Sequence, residues 1–268
     1  MKAKGALSGL FDGAGSALFT REFRLAALNR YFHIFSALAL LGGIAAAVFS
    51  EDADATSFFH LQIGLYFVSL FALLAGVNSA QAEREEWQLL FTQPLRRPVF
   101  VIGKFFALST IFAGVLLLLF LPTIFAGADF SVMARLYFET LLLAGAFVAC
   151  GLAAGYFAHD RAQALIIGVS AWLMLLFALD LVALFAAQWS GIQRWPDVWV
   201  ALLMLNPLDS YRIDVLFALQ KIPAEAANKT ALASWWTAHA GVWFAGIALA
   251  WSLVMMTLAG LRINRWEE

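Results

Sequence analysis

The sequence has few charged residues and almost no cysteine, and both shortages limit what the protein can be. Of its 268 residues, 13% are charged and 63% are apolar, whereas soluble domains have about a quarter and about half respectively. The single cysteine, Cys150, excludes an internal disulfide and any CxxC metal or redox motif. The formal net charge is only -1, so no nucleic-acid partner is expected. This composition is that of a protein embedded in a lipid bilayer.

Catalytic and nucleotide-binding motifs are also missing from the sequence. None of the patterns HExxH, GxSG and EExxxR occurs, since Leu90 stands where the last would need Arg. Gly103-Lys104 lacks the earlier Gly and the following Ser or Thr of a phosphate-binding loop. The four histidines are isolated from one another, so no metal site is predicted. The chain is therefore expected not to be an enzyme and to bind no cofactor itself.

Six apolar stretches are long enough to cross about 30 Å of hydrocarbon as helices. They show no period-two alternation of the kind that barrel strands have, and backbone groups in lipid must bond internally. The expected fold is all-α, a single polytopic membrane domain over residues 1–268. Its predicted spans are 31–49, 58–80, 105–126, 136–158, 164–187 and 238–261.

The basic residues predict the orientation of these spans. With a cytoplasmic amino terminus, the inner segments hold 12 of the 17 Lys and Arg residues. The first outer loop, Ser50 to Ser57, has acids and no base. By the positive-inside rule both termini are expected in the cytoplasm of a bacterial cell, with the spans in its inner membrane.

The segment before the first span mixes bulky apolar residues with Arg21, Arg24 and Arg30. That mixture is typical of an amphipathic helix that lies at the lipid headgroups. The alternative is a cytosolic extension of the first spanning helix. Both interpretations are open from the sequence.

The loop from Gln81 to Lys104 is predicted to contain a short cytoplasmic helix. Acids at its start favour a helix amino terminus, and Pro94 and Pro98 end the helix and turn the chain back. Its apolar side chains, such as Trp87, need either a partner protein, lipid or the protein's own bundle to cover them.

The second long loop, Gln188 to Thr237, is predicted to contain a helix from Pro207 to about Leu219. Asn206 is a good N-cap and Pro207 suits the first helical position. Its apolar residues fall on one side, so the helix either lies on the outer leaflet or presents polar residues to a partner.

Few polar residues fall inside the predicted spans. Asp180 is a carboxylate that is costly in hydrocarbon, and it serves either conformational change and substrate passage or a structural hydrogen bond. Arg135 and Glu139 are near a helix end and are expected to reach the interface. Gly151 and Gly155, four residues apart, permit close contact between helices.

Both loops resemble a known family. In the first loop, acids are followed by a short apolar stretch, by Thr92-x-Pro94-Leu-x-Arg97 and then by Gly103-Lys104. This order of residues resembles the cytoplasmic coupling segment of type-two ABC transporter permeases. The outer stretch Asn206-Pro207-Leu-Asp209-Ser-Tyr211-Arg212 is similar to that of NosY-type permeases, the membrane subunits of the NosDFY system. That system matures the copper sites of nitrous-oxide reductase.

The resemblance implies a permease subunit in a homodimer that couples ATP hydrolysis to transport or conformational work. A separate NosF-like ATPase would bind ATP and Mg, and a NosD-like periplasmic β-helix protein would dock outside. The ATPase-coupling residues implied are Glu83, Glu85, Glu86, Thr92, Pro94, Arg96, Arg97, Gly103 and Lys104. The periplasmic docking residues implied are Asn206, Pro207, Asp209, Tyr211 and Arg212.

Two other functions fit the composition. The same class of permease includes exporters of lipids, drugs and polysaccharides. A passive membrane anchor is also possible on composition, and it would have no ATPase partner.

Overall fold

A computed structural model describes residues 13–50, 52–82, 97–186, 188, 201–218 and 231–264. Within these ranges every regular element is a helix, which confirms the all-α prediction. The α-helices are α1 (Gly13–Ala27), α2 (Arg30–Phe49), α3 (Ala53–Gln62), α4 (Ser69–Ala82), α5 (Arg97–Phe125), α6 (Phe130–Phe157), α7 (Arg161–Leu173), α8 (Leu179–Ala186), α9 (Pro207–Ala218) and α10 (Ala231–Asn264). Two π-helical segments, Ile63–Val68 and Met174–Ala178, join α3 to α4 and α7 to α8.

Five helices in the described ranges are long and apolar enough to cross a membrane. They are Arg30–Phe49, Ala53–Ala82, Pro98–Phe125, Phe130–Phe157 and Ala238–Ile263. The predicted span 164–187 corresponds to α7, the second π segment and α8, which follow one another without a break. A polytopic helical membrane protein is thus confirmed, and the sixth crossing stays a prediction.

The first helix is separate from the first span. α1 ends at Ala27, and the Asn29 side chain caps α2 by accepting a hydrogen bond from Tyr31 N at 3.0 Å. A continuous extension of the span is therefore wrong. α1 buries Leu18 and exposes Leu25, as an amphipathic helix does.

The centre of the bundle is the contact between α4 and α6, which glycines bring close together. A Cβ added at Gly151 would overlap the Leu73 carbonyl oxygen, and one at Gly76 would overlap the Val148 carbonyl oxygen. Because these positions lack side chains, the two backbones touch. The predicted close contact at Gly151 and Gly155 is confirmed.

The outside of the bundle is apolar, as a bilayer requires. Large side chains such as Leu41 on α2 and Leu253 on α10 are 61% and 69% exposed. In water a surface of this kind would be an association site, whereas hydrocarbon covers it at no cost.

α5 begins earlier than the predicted third span, at Arg97 instead of residue 105. Pro98 lies in its first turn, where the missing N–H has no helical partner to lose. Gly103 and Lys104 are therefore in the second turn of α5 and do not open it.

Candidate functional sites at the two ends of the bundle

A buried ion pair fixes α1 to α5 at the end of the bundle where α5 begins. Lys104 Nζ lies 2.6 Å from Glu22 Oε2, and the two side chains are only 2% and 4% exposed. Arg21 donates to the other Glu22 oxygen at 3.0 Å. The Lys104 ammonium also lies 4.9 Å from the centre of the Phe100 ring. Opposite charges and hydrogen bonds thus compensate the cost of taking Lys104 out of water.

Gly103 lets α1 come close to α5 beside this pair. A Cβ at Gly103 would lie 3.3 Å from Leu18 Cδ2, which is a tight contact. Of the residues predicted for ATPase coupling, Gly103 and Lys104 therefore hold α1 in place. Sequence reasoning missed Glu22, because an acid in a basic amphipathic segment gives no sign of its partner 82 residues away.

The rest of the predicted coupling set lies outside what the structure describes. These residues are Glu83, Glu85, Glu86, Thr92, Pro94 and Arg96, and for Arg97 only the backbone is described. α4 ends at Ala82 and α5 begins at Arg97, so both flanks of the segment are at the α1 end. A cavity of about 300 Å³ there is lined by Arg21, Asn29, Ala82 and Lys104, among others. The coupling role of the segment stays a prediction.

α9 begins at the opposite end, as the outer-loop sequence predicts. Asn206 Oδ1 accepts a hydrogen bond from Leu208 N at 3.1 Å, which is the predicted N-cap. Asn206 Nδ2 donates to Asp209 Oδ2 and to the Leu175 carbonyl, both at 2.6 Å. The cap therefore fixes the start of α9 and also ties it to the second π segment.

Tyr211 anchors α9 inside the bundle. Its side chain is fully buried, and its hydroxyl lies 2.9 Å from Thr140 Oγ1 on α6. A Cβ at Gly64 would be 2.5 Å from the Tyr211 hydroxyl oxygen. Gly64 lies in the first π segment, and a π segment often marks a functional position in a helix. The alternative in which α9 lies on the leaflet surface is therefore wrong.

This burial changes which residues can meet a periplasmic partner. Asn206, Pro207 and Asp209 are buried like Tyr211, so none of the four presents its side chain outward in this conformation. Arg212 is 30% exposed and lies 3.5 Å from Asp209. The docking prediction stays a prediction, and Arg212 is the member of the set that a partner can reach.

One arginine joins two acids beside Tyr211. Arg135 Nε donates to Glu139 Oε1 and Arg135 Nη2 donates to Asp214 Oδ1, both at 2.6 Å. The Glu139 and Asp214 side chains are 9% and 0% exposed, whereas Arg135 is 47% exposed. The expectation that Glu139 reaches the interface is wrong, because α9 covers it. The i,i+4 spacing of Arg135 and Glu139 was visible in the sequence, but Asp214 is 79 residues from Arg135 and gave no signal.

Asp180, the predicted intramembrane carboxylate, lies in α8. Its side chain is outside the part of the chain that the structure describes, so its role stays a prediction.

An apolar cleft of about 850 Å³ lies between α5, α6 and α10. Its wall includes Phe105, Phe106, Leu142, Leu253 and Met256, with a few hydroxyls such as Thr257. A cleft of this size and polarity fits an apolar chain or ring system.

Comparison with known proteins indicates the same class of protein as the sequences of the two loops do. Residues 21–265 match the family described as ABC-2 family transporter protein. The chain is also 28% identical over 246 residues to the probable ABC transporter permease protein NosY of Pseudomonas aeruginosa, which covers 84% of this chain and 89% of that protein.

Proposed function

This chain belongs to the ABC-2 transporter family, and on that premise we propose that it is the permease of a NosDFY-like system that matures the copper sites of nitrous-oxide reductase. As a family member it is a multi-pass membrane permease that works with an ABC ATPase. The observation that carries the narrower proposal is the match to NosY along almost the whole of both chains. The similarity of the Asn206 to Arg212 stretch supports it.

The proposed division of labour follows from where the chemistry occurs. A NosF-like subunit binds ATP and Mg in the cytosol, and ATP hydrolysis takes place on that subunit and not on this chain. Two copies of the permease form one transporter in the inner membrane, with both termini cytoplasmic. The coupling segment between α4 and α5 contacts the ATPase and transmits its motion to the helices.

The α1 end of the bundle supports this proposal. A helix that transmits force must be fixed to the element it moves, and α5 is fixed to α1 by the buried Lys104–Glu22 pair. Motion of the coupling segment would therefore displace α1 and α5 together.

The ATPase contact is tested by charge reversal of Glu83, Glu85 and Glu86 to Lys. We expect the variant to lose co-purification with its ATPase while it still inserts in the membrane. Reversal of Glu267 and Glu268, acids outside the coupling segment, serves as the matched control. Undiminished binding and ATP hydrolysis in the Glu83, Glu85 and Glu86 variant would remove the coupling assignment.

The maturation role is tested by deleting the gene in its own host. We expect nitrous-oxide reductase to be made with a depleted copper content and to regain copper when the gene is restored. A fully copper-loaded reductase in the deletion strain would rule out the maturation role while leaving the permease assignment intact.

The apolar cleft favours a second candidate, a generic exporter of a lipid, a drug or another apolar molecule. It predicts that such a molecule stimulates ATP hydrolysis by the reconstituted complex and that Leu253→Arg, which puts a charge in the cleft, abolishes the stimulation. A passive anchor, by contrast, predicts no ATPase in the purified complex.

A further inference from the structure

The cluster of Arg135, Glu139 and Asp214 contains more acid than base. Arg135 satisfies one oxygen of each carboxyl through adjacent nitrogens of one guanidinium. The second oxygens, Glu139 Oε2 and Asp214 Oδ2, are buried and have no hydrogen-bond partner in the described part of the chain. Two ionised carboxylates on one guanidinium would leave one negative charge uncompensated in a poorly solvated position.

Among the described side chains of α9 and α10, no neighbouring group supplies the missing positive charge. Asp209 and Arg212 of α9 lie 3.5 Å apart and form their own pair. α10 approaches with Gly241, whose added Cβ would be 3.5 Å from both Asp214 oxygens. His239, two residues before Gly241 on α10, has its Nδ1 at 3.0 Å from the Trp235 carbonyl.

The other packed elements do not supply it either, as far as the structure describes their residues. His60 of α3 has its ring nitrogens at 2.8 Å from the Thr56 carbonyl and 3.5 Å from the Leu119 carbonyl. The first π segment contributes Tyr66 as its titratable residue, and the second contributes none.

We propose that Glu139 and Asp214 together bind one proton, shared between Glu139 Oε2 and Asp214 Oδ2, and that this proton fixes α9 against α6. A protonated carboxyl donates a hydrogen bond that a carboxylate accepts, so a single proton satisfies both second oxygens. With this one proton bound, the two carboxyls together carry one negative charge, which the Arg135 guanidinium balances. Two carboxyls held close together cannot both ionise at low cost, and a shared proton is the general solution.

Arg135 is the half-exposed member of the cluster, whereas the two acids that it contacts are buried. Burial raises the pKa of the Asp214 carboxyl, and hydrogen bonding and the Arg135 charge oppose that rise.

The sign of the pH effect follows from that direction. A carboxyl whose pKa is raised on folding stabilises the native state while it is protonated, and the stabilisation is lost as the pH rises through the folded pKa. The docking of α9, and with it the Tyr211 contact to Gly64, should therefore weaken in alkaline solution.

Infrared difference spectroscopy tests the bound proton directly. In the full-length protein in lipid nanodiscs, we expect the carbonyl band of a protonated carboxylic acid at about neutral pH, and its disappearance on alkalinisation. Glu139→Gln and Asp214→Asn should each remove the band, since the remaining acid then matches Arg135 in charge. Asp129→Asn is the control, because this carboxylate caps α6 at an exposed position and Asn caps equally well.

Thermal unfolding provides the second measurement. The fall in Tm of the wild type from about pH 6 to about pH 9 should be roughly halved in Glu139→Gln and unchanged in Asp129→Asn. Absence of the acid band in the wild type, or its persistence in both Glu139→Gln and Asp214→Asn, would overturn the proposal. If one variant fails to fold, the other variant and the wild-type pH titration still decide the question.

Discussion

The two ends of the bundle fix an additional helix in chemically different ways. At one end Lys104 holds α1 to α5 through Glu22, and both side chains are almost fully buried. At the other end Arg135 holds α9 to α6 through Asp214, with Glu139 on the same guanidinium. α5 and α6 are antiparallel neighbours joined by a short turn, so the two sites are on opposite sides of the bundle.

The difference concerns the balance of charge. At the α1 end the buried acid Glu22 has a cation on each of its two oxygens, the buried Lys104 and the more exposed Arg21. At the α9 end two buried acids share one cation, Arg135. A second buried acid on one cation leaves an uncompensated charge, which is costly unless the acid changes its protonation. The connection at the α9 end is therefore expected to depend on pH.

The largest effect is expected when the Lys104–Glu22 pair is broken. Lys104→Met leaves Glu22 buried with Arg21 as its remaining described partner, and removing one member of a buried pair costs about 3 kcal/mol. The measurement is the free energy of unfolding in detergent. The double variant Lys104→Met with Glu22→Leu should recover most of the loss. A double variant as unstable as the single one would contradict the pairing.

Arg135→Met is expected to cost less, roughly 2 kcal/mol, because Arg135 is half-exposed. The cost should grow as the pH rises, because neutral carboxyls need no cation and ionised ones do. Unfolding at several pH values measures it, and Lys104→Met serves as the comparison. Equal pH dependence in the two variants would remove the contrast between the ends.

Gly64→Ala tests the slot for Tyr211. The new methyl would lie 2.5 Å from the Tyr211 hydroxyl oxygen, and overpacking of this kind costs about 1 to 3 kcal/mol. Gly114→Ala, where an added Cβ meets nothing within 4 Å, is the matched control. In the double variant with Tyr211→Phe, loss of the hydroxyl should relieve part of the strain. Additive effects of Gly64→Ala and Tyr211→Phe would mean that the added methyl and the Tyr211 hydroxyl do not touch.

The smallest effect is expected for Tyr211→Phe alone. It removes the buried hydrogen bond to Thr140, which is worth about 1 kcal/mol. The variant should keep the ring contacts, so α9 should stay folded against α10. Protection of α9 from proteolysis checks this, and a wild-type stability would show that the hydroxyl contributes nothing.

The sequence predicted local features well where the signal is local. The start of α9 at Pro207 follows from an N-cap and a proline at the first position, both of which act within one turn. The close approach at Gly151 likewise needs only the absence of side chains. In contrast, α5 was predicted too short, because a hydropathy window does not detect a first turn that contains an arginine and a proline.

The candidate sites depended on contacts between distant segments and were predicted less well. Tyr211 was expected to face a partner or lipid, but it packs against Thr140 and Gly64. The sequence correctly predicted that Tyr211 lies on the apolar side of α9. Only the packing shows which surface covers that side. Glu139 was expected at the interface because nothing near it in sequence reveals that α9 lies over it.

By itself, the sequence determined that this protein is a helical membrane protein with an ABC permease pattern, because hydropathy and short motifs are properties of consecutive residues. Only the tertiary structure decided that Lys104 pairs with Glu22 and that Arg135 serves both Glu139 and Asp214. The physical reason is that the cost of a buried charge depends on what surrounds it in space. Those partners come from helices that are far apart along the chain.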